Sequence, residues 1–101
     1  MKKKTAKLAR IERKRYSIMT DDLKRCYICG LSPVDIHEVY NGCHRLASME
    51  NGFCLPLCRR HHRQATEDAW FASQLKILMQ LKYEKTHTRA EFMKIIGRNY
   101  L

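Results

Sequence analysis

The chain has 101 residues, of which 45% are hydrophobic and 30% charged, and its formal net charge is +10. This length corresponds to one domain with a small core, because a domain of about 100 residues buries only about two thirds of its unfolded surface. No apolar run approaches the roughly 20 residues of a membrane span, and no secretory apolar segment is present. These features exclude a membrane-spanning chain and predict a cytoplasmic protein.

The cysteines and the distribution of charge narrow the class of protein further. Five cysteines without an export signal indicate a reducing compartment, where spaced cysteines hold metal more often than they form disulfides. Residues 1–16 carry eight Lys or Arg residues against Glu12 alone, so +7 of the net charge lies there. A basic terminus of this kind is typical of an arm that binds nucleic-acid phosphates, and a solvated basic helix is the alternative.

Three regions of one compact domain follow from the pattern along the chain. Residues 1–20 form the basic arm, and residues 21–68 contain all five cysteines and four of the five histidines. In this middle region short apolar pieces are broken by Gly30, Pro33 and Gly42, which favours short strands and loops. Residues 69–101 read as a helical buttress that packs on the middle region.

Two helices are predicted in residues 69–101. The first has its N-terminus near Thr66 and an apolar face built from these positions: Phe71, Leu75, Leu78 and Lys82, widened by Trp70, Ile77, Met79 and Leu81. The second begins at a capping box formed by Thr88 and Glu91 and ends at Gly97. Its buried stripe consists of Phe92, Ile95 and Ile96.

A metal clamp is the strongest motif in the middle region. Cys26 and Cys29 form a C-x2-C pair, and after 28 intervening residues Cys58 and His61 form a C-x2-H pair. Zinc binds four such ligands at tetrahedral corners, and a spacing of two residues lets one tight turn supply two of them. The alternative is a set of buried free thiols. We interpret the remaining cysteines, Cys43 and Cys54, as structural.

A second group of polar side chains lies beside the clamp. His62 directly follows the last clamp residue and is therefore left over for another role. Upstream, Asp35, His37 and Glu38 fall on a predicted strand. Side chains alternate along a strand, so Asp35 and His37 should share one face while Glu38 points to the other, unless local twist brings Glu38 round.

The segments "CYICG", "DIHEVYNG" and "LCRRHH" together resemble the HNH endonuclease family over about residues 16–66. The segments "YSIMTDDLKRCYICG" and "EFMKIIGRNYL" are also similar to small phage-encoded members. The resemblance implies an α+β fold with a ββα-metal (HNH) core, a structural zinc knuckle and two packed C-terminal helices. It also implies a host-cell cytoplasm as the location.

The resemblance assigns roles to particular residues. The structural zinc ligands would be Cys26, Cys29, Cys58 and His61. A catalytic Mg²⁺ or Mn²⁺ would be bound by His37 and His62. The family's general base is a histidine at the position of Glu38, so either Glu38 or His44 would serve as the base here. Asn51 would orient the base, or would form a turn with Gly52. Glu67 or Asp68 would add a metal ligand, or would favour a helix N-terminus.

The implied activity is metal-dependent hydrolysis of DNA phosphodiester bonds, by nicking with little sequence specificity. The phosphate contacts would come from basic residues of the arm and the core: Lys2, Lys3, Lys4, Lys7, Arg10, Arg13, Arg45, Arg59, Arg60 and Arg63. A homodimer or a larger phage recombination complex is a further expectation. The alternatives are a non-catalytic zinc module that binds DNA or a recombination partner, and a nuclease that acts on RNA.

Overall fold

The computed structural model describes residues 6–101, in which five helices and a two-stranded antiparallel sheet form an α+β fold. The elements in chain order are α1 (Ala6–Arg13), β1 (Val34–Glu38), a 3-10 turn (Gly42–His44), α2 (Arg45–Asn51), β2 (Cys54–Cys58), α3 (Arg59–Glu67), α4 (Ala69–Tyr83) and α5 (Arg89–Ile96). The predicted α+β class is confirmed. Among the described helices, none is both long and apolar enough to cross a bilayer.

The sheet brings the two halves of the middle region together. β1 pairs with β2 so that Val34 lies opposite Cys58 and Glu38 lies opposite Cys54. Four of the five residues of β2 are buried, which explains why this strand reads as a continuous apolar run. α3 begins at Arg59, immediately after β2 ends. The order β1, β2, α3 therefore places the start of α3 beside the start of β1.

Aromatic side chains from the sheet region and from the last two helices form the core. The ring of Tyr40 meets the edges of Phe53 and Phe92, with centroids 5.4 Å apart in both pairs. The capping box of Thr88 and Glu91 is confirmed, and Gly97 ends α5 with a φ of 79°. A two-stranded sheet is marginal alone in water, so α4 and α5 provide the packing that it needs.

The predicted apolar face of α4 is partly wrong. The buried residues are Leu75, Met79, Gln80 and Tyr83. Trp70, Leu78 and Leu81 are instead exposed, at 69%, 44% and 47% of their surface. A helix that packs on one side covers only a stripe of its circumference. Gln80 takes a place in that stripe because its side chain donates to Asn99 and accepts from the backbone of Tyr100.

The middle region, predicted as short strands and loops, also contains two short helices. α2 and α3 are both helical, and α3 already spans residues 59–67, where a helix start near Thr66 was expected. Asp68 separates α3 from α4 and caps α4 by accepting a hydrogen bond from the amide of Phe71. The buried residues of α3 are His61 and Ala65, so an apolar periodicity could not reveal this helix.

Gly52 ends α2 in a left-handed conformation, and a side chain there would meet Tyr16. A Cβ at this position would lie 2.5 Å from Cε2 of Tyr16, and φ is +73°. We expect Gly52→Ala to lower the free energy of unfolding by about 2–4 kcal/mol, the sum of backbone strain and this overlap. Gly42→Ala is the matched control, since Gly42 has a φ of +65° and nothing within 4 Å. Equal losses in urea denaturation would show that the Tyr16 contact contributes nothing.

Candidate functional site

The first half of the metal clamp is held by the backbone of the knuckle. Gly30 has a φ of 77°, and its amide donates to the carbonyl of Cys26. The amide of Cys26 donates to the carbonyl of Leu31, and that of Tyr27 donates to Pro56 on β2. These bonds close a tight turn that presents Cys26 and Cys29 together and fixes the turn to the sheet.

The second half of the clamp comes from the junction of β2 and α3. Cys58 is the last residue of β2 and the N-cap residue of α3, so His61 lies in the first turn of the helix. The ring of His61 stacks on Phe71 of α4, with centroids 6.4 Å apart. Cys58 and His61 are therefore held in fixed directions by the end of β2, the start of α3 and the ring of Phe71.

The four side chains converge with distances that suit zinc. Nδ1 of His61 lies 3.3 Å from Sγ of Cys58 and 3.5 Å from Sγ of Cys26. Sγ of Cys29 lies 3.8 Å from Sγ of Cys58, and all four atoms lie within 4.8 Å of one another. Tetrahedral zinc with its usual bond lengths separates such ligand atoms by about 3.5–3.8 Å. Cys26, Cys29, Cys58 and His61 could therefore bind a metal such as zinc.

The environment of Cys26 favours the thiolate, which is the form that binds metal. Burial alone would raise the pKa of this thiol, but backbone amides of Cys58, Cys29 and Ile28 donate to the sulfur. Their combined effect lowers the pKa of Cys26 to about 6. The backbone turn therefore prepares an anionic ligand at neutral pH.

A cleft beside the clamp brings together three of the polar residues from the sequence. His37 on β1 and His62 on α3 have ring centroids 5.3 Å apart, with an interplanar angle of 65°. Nδ1 of His62 lies 3.2 Å from Oδ2 of Asp35. Asp35 and His37 share a face of β1, as strand alternation predicts. The carboxylate holds Nδ1 of His62, and residues 6–101 provide no hydrogen bond to Nε2, so this nitrogen could bind another group.

His37 is buried, and its surroundings keep the imidazole neutral. Desolvation is the main cause, and the charges of His62 and Lys76 act in the same direction against the opposing effect of Glu38. Together they lower the pKa of His37 to about 4. A histidine must be neutral to bind a metal ion, so His37 is ready to act as a ligand at pH 7.

The low pKa of His37 can be observed directly. We expect ¹³C-labelled histidine to show a His37 resonance that titrates with a midpoint near pH 4, against an ordinary value of 6.5. The neutral form is favoured by folding, so this group stabilises the protein above pH 6.5 and that contribution is lost as the pH falls toward 4. A midpoint near 6.5 in the folded protein would contradict the buried position.

The structure does not bring Glu38 to the two histidines. Oε1 of Glu38 lies 2.8 Å from Nη1 of Arg15 and 3.2 Å from Nε of Arg45, while Nη2 of Arg45 also lies 3.1 Å from Oε1 of Glu12. Glu38 follows His37 directly on β1, so its side chain points to the opposite face of the strand. The carboxylate thus joins the strand to α2 and to the segment that follows α1.

For the other predicted site residues, the contacts found among residues 6–101 do not include the histidine pair. His44 ends the 3-10 turn, and within residues 6–101 no hydrogen bond or ring contact joins its side chain to His37 or His62. Nδ2 of Asn51 donates to the carbonyl of Ala47 in its own helix. Glu67 is the last residue of α3 rather than part of a helix N-terminus. Asp68 does occupy the N-cap position that its charge favours.

The predicted phosphate contacts fall on two helices. Lys7, Arg10 and Arg13 are exposed on α1, and a second group on α3 is exposed beside His62: Arg59, Arg60 and Arg63. Arg45 is engaged with Glu12 and Glu38, so its guanidinium is largely neutralised. Lys2, Lys3 and Lys4 lie outside the described residues.

Two neighbours of the histidine pair were not assigned a catalytic or metal-binding role from the sequence. Asp35 contacts His62, and the signal for it was its position two residues before His37 on a strand. Lys76 of α4 acts on the charge of His37, and no sequence pattern could have linked these residues. Both belong to the cleft around the histidine pair.

The fold and the cluster define a small α+β protein with a Cys/His site that could bind a metal such as zinc. No protein-family model matches the chain, and neither curated proteins nor solved structures yield a match.

Proposed function

We propose that the protein is a metal-dependent DNA endonuclease of the HNH type, with a structural zinc ion at the Cys/His cluster. One observation carries this proposal: the adjacent residues His61 and His62 point to different sites. His61 faces the three cysteines, whereas His62 faces His37 and Asp35. A site for structure and a site for chemistry thus share the first turn of α3.

The arrangement of the elements supports a ββα-metal core. An antiparallel pair of strands leads directly into a helix, one histidine comes from the first strand, and the second comes from the helix. His62 directly follows a residue of the rigid Cys/His cluster, so its direction is fixed at low cost in conformational entropy. A catalytic ligand requires such a fixed direction. The phage setting and a role in recombination rest on the sequence resemblance.

The proposed catalytic ion is Mg²⁺ or Mn²⁺, and the cleft offers it two imidazole nitrogens. His37 is neutral at pH 7, Nε2 of His62 has no hydrogen bond within residues 6–101, and a separation of 5.3 Å between ring centroids suits two imidazoles that bind one ion. His37 and His62 would hold the ion, whose chemistry is to polarise the scissile phosphate and stabilise the leaving oxygen.

The remaining residues orient and hold the substrate. Asp35 fixes the tautomer and the direction of the His62 ring through its 3.2 Å contact. Arg59, Arg60 and Arg63 extend from the same helix as His62 and would bind phosphates on either side of the cleft. Binding of this kind depends on charge, so we infer a substrate recognised with little regard to base sequence.

The experiment that tests the proposal is conversion of supercoiled plasmid to open circles by zinc-loaded protein. We expect nicking with Mg²⁺ or Mn²⁺ and none without an added divalent ion. RNA of the same length as the plasmid is added as a competitor, and its effect on nicking tests whether the protein prefers DNA. Binding of plasmid without nicking at any metal concentration would contradict the proposal.

A non-catalytic DNA-binding zinc module is the second candidate, and one observation favours it. The carboxylate at the expected base position, Glu38, is held by Arg15 and Arg45 on the far side of β1. Such a module would have the Cys/His cluster and the basic helices and would bind DNA, but it would not cleave it. The plasmid assay separates the two candidates, since the module would bind DNA and leave it intact.

The role of Glu38 can be tested separately. We expect Glu38→Gln to keep nicking within about threefold of the wild type while unfolding becomes easier by about 1–2 kcal/mol, because a hydrogen bond to a charged partner is weakened. Nicking and urea denaturation are the two measurements, and His44→Gln is the companion variant. Loss of nicking at unchanged stability, in either variant, would identify that residue as the base.

A further inference from the structure

A cavity of about 360 Å³ lies apart from both metal sites. It is bounded by the segment after α1, the end of α2 and the connection between α4 and α5. None of its lining residues belongs to the zinc cluster or to the histidine cleft. We infer that this cavity binds a nucleotide, free or as one unit of a single strand. The inference stands on the cavity alone and requires no cleavage activity.

The charge of the cavity suits a phosphate. Lys82 and Lys85 both line it, and no carboxylate does so in the described part of the chain. The nearest acid in sequence, Glu84, accepts hydrogen bonds from Gln80 and Arg89 instead. Two ammonium groups at one rim can each donate to a phosphate oxygen without competition from an internal ion pair.

An aromatic platform faces the same cavity. Tyr16 is 48% exposed, which is a large fraction for a tyrosine whose ring is fixed on one side. Its hydroxyl donates to the carbonyl of Glu50, and its ring packs so closely on Gly52 that no side chain would fit there. A held and exposed ring is what base stacking requires, because little entropy is lost on binding.

A second fixed ring and polar groups also line the cavity. His87 stacks on Tyr83, with centroids 4.1 Å apart and an interplanar angle of 7°. Nδ1 of His87 lies 2.8 Å from Oγ1 of Thr86, which fixes the ring plane further. Asn51 uses Nδ2 within α2, so Oδ1 remains able to accept from an amino group of a base.

These features together favour a nucleotide over a simple anion or an apolar ligand. The volume lies within the usual range for small-ligand pockets, about 300–1,000 Å³. A phosphate alone would leave Tyr16 and His87 without a role, and an apolar molecule would leave both lysines without partners. Basic side chains next to stacking rings are typical of sites that bind single-stranded nucleic acid.

The test uses full-length, zinc-loaded protein without added Mg²⁺ or Mn²⁺, so that the probes stay intact. Binding of fluorescein-labelled dT10 is followed by anisotropy, and binding of dTMP is followed by calorimetry. We expect Lys82→Gln/Lys85→Gln to weaken dT10 binding about tenfold. The matched control, Lys24→Gln/Lys94→Gln, removes the same charge from exposed positions elsewhere and should cost about twofold.

The stacking ring is tested by two further variants. Tyr16→Leu should weaken dT10 binding at least about fivefold, whereas Tyr16→Phe, which keeps the ring, should bind like the wild type. Melting curves for each variant separate lost binding from lost folding. If the wild type binds dTMP and the same variants lose this binding, the cavity is a site for a free nucleotide. If the wild type binds dT10 but not dTMP, the cavity binds one nucleotide of a single strand.

Three results would overturn the inference. Equal losses in the two lysine pairs would show that only the overall charge matters. Binding of neither probe by the wild type, or unchanged dT10 binding in folded Tyr16→Leu, would show that the cavity takes no nucleotide. Plasmid nicking is measured independently, so failure here leaves the proposed cleavage reaction to its own test.

Discussion

Replacement of Cys29 by serine is expected to abolish the cooperative thermal transition of the protein. Sγ of Cys29 is one of four ligand atoms that lie within 4.8 Å of one another. Zinc binding in small domains supplies about 10–16 kcal/mol of apparent free energy, which exceeds the usual stability of a domain of this size. The thermal transition is followed by circular dichroism, and the zinc content of each sample is measured in parallel.

Cys43→Ser is the matched control for this prediction. Cys43 is also an exposed cysteine, but it lies outside the cluster at the 3-10 turn. We expect this variant to bind one zinc ion and to melt like the wild type. A Cys29→Ser protein that melts at the wild-type temperature and carries no zinc would show that the cluster does not stabilise the fold.

Replacement of His62 by alanine is expected to abolish plasmid nicking while the protein stays folded. A divalent ion contributes several kcal/mol of transition-state stabilisation, so loss of a ligand should slow nicking about a thousandfold or more. His62 is 32% exposed, and its side-chain hydrogen bond is made to the partly exposed Asp35. Little packing is therefore lost, and the melting temperature should change by only a few degrees.

Gln64→Ala is the control for this variant, since Gln64 is a partly buried residue on the same helix. We expect it to nick plasmid like the wild type. If His62→Ala instead loses its melting transition as completely as Cys29→Ser, the two adjacent histidines have been assigned to the wrong sites. Wild-type nicking by folded His62→Ala would remove His62 from the chemistry.

Local spacing predicted much of the fold. The two C-x2 pairs predicted the four converging ligands, since two residues between ligands define a tight turn wherever the rest of the chain lies. The capping box at Thr88 was equally visible, because its hydrogen bonds join residues three apart. The exposure of Trp70 and Leu78 was not predictable. Periodicity identifies the apolar face of a helix, but the width of the buried stripe depends on the elements that pack against it.

The candidate site was predictable to a similar extent. Strand alternation predicted that Asp35 and His37 share a face, and it also predicted that Glu38 points away. The partners of Glu38 could not be predicted, because Arg15 lies 23 residues before it and reaches it only through the tertiary fold. The contact between Asp35 and His62 spans 27 residues for the same reason.

We propose that His61 and His62 serve two different metal ions. The most direct measurement is anomalous scattering, at the zinc and manganese edges, from crystals grown with MnCl₂. We predict a zinc peak among Cys26, Cys29, Cys58 and His61, and a separate manganese peak between His37 and His62. A zinc peak alone, or manganese bound only elsewhere, would contradict the claim.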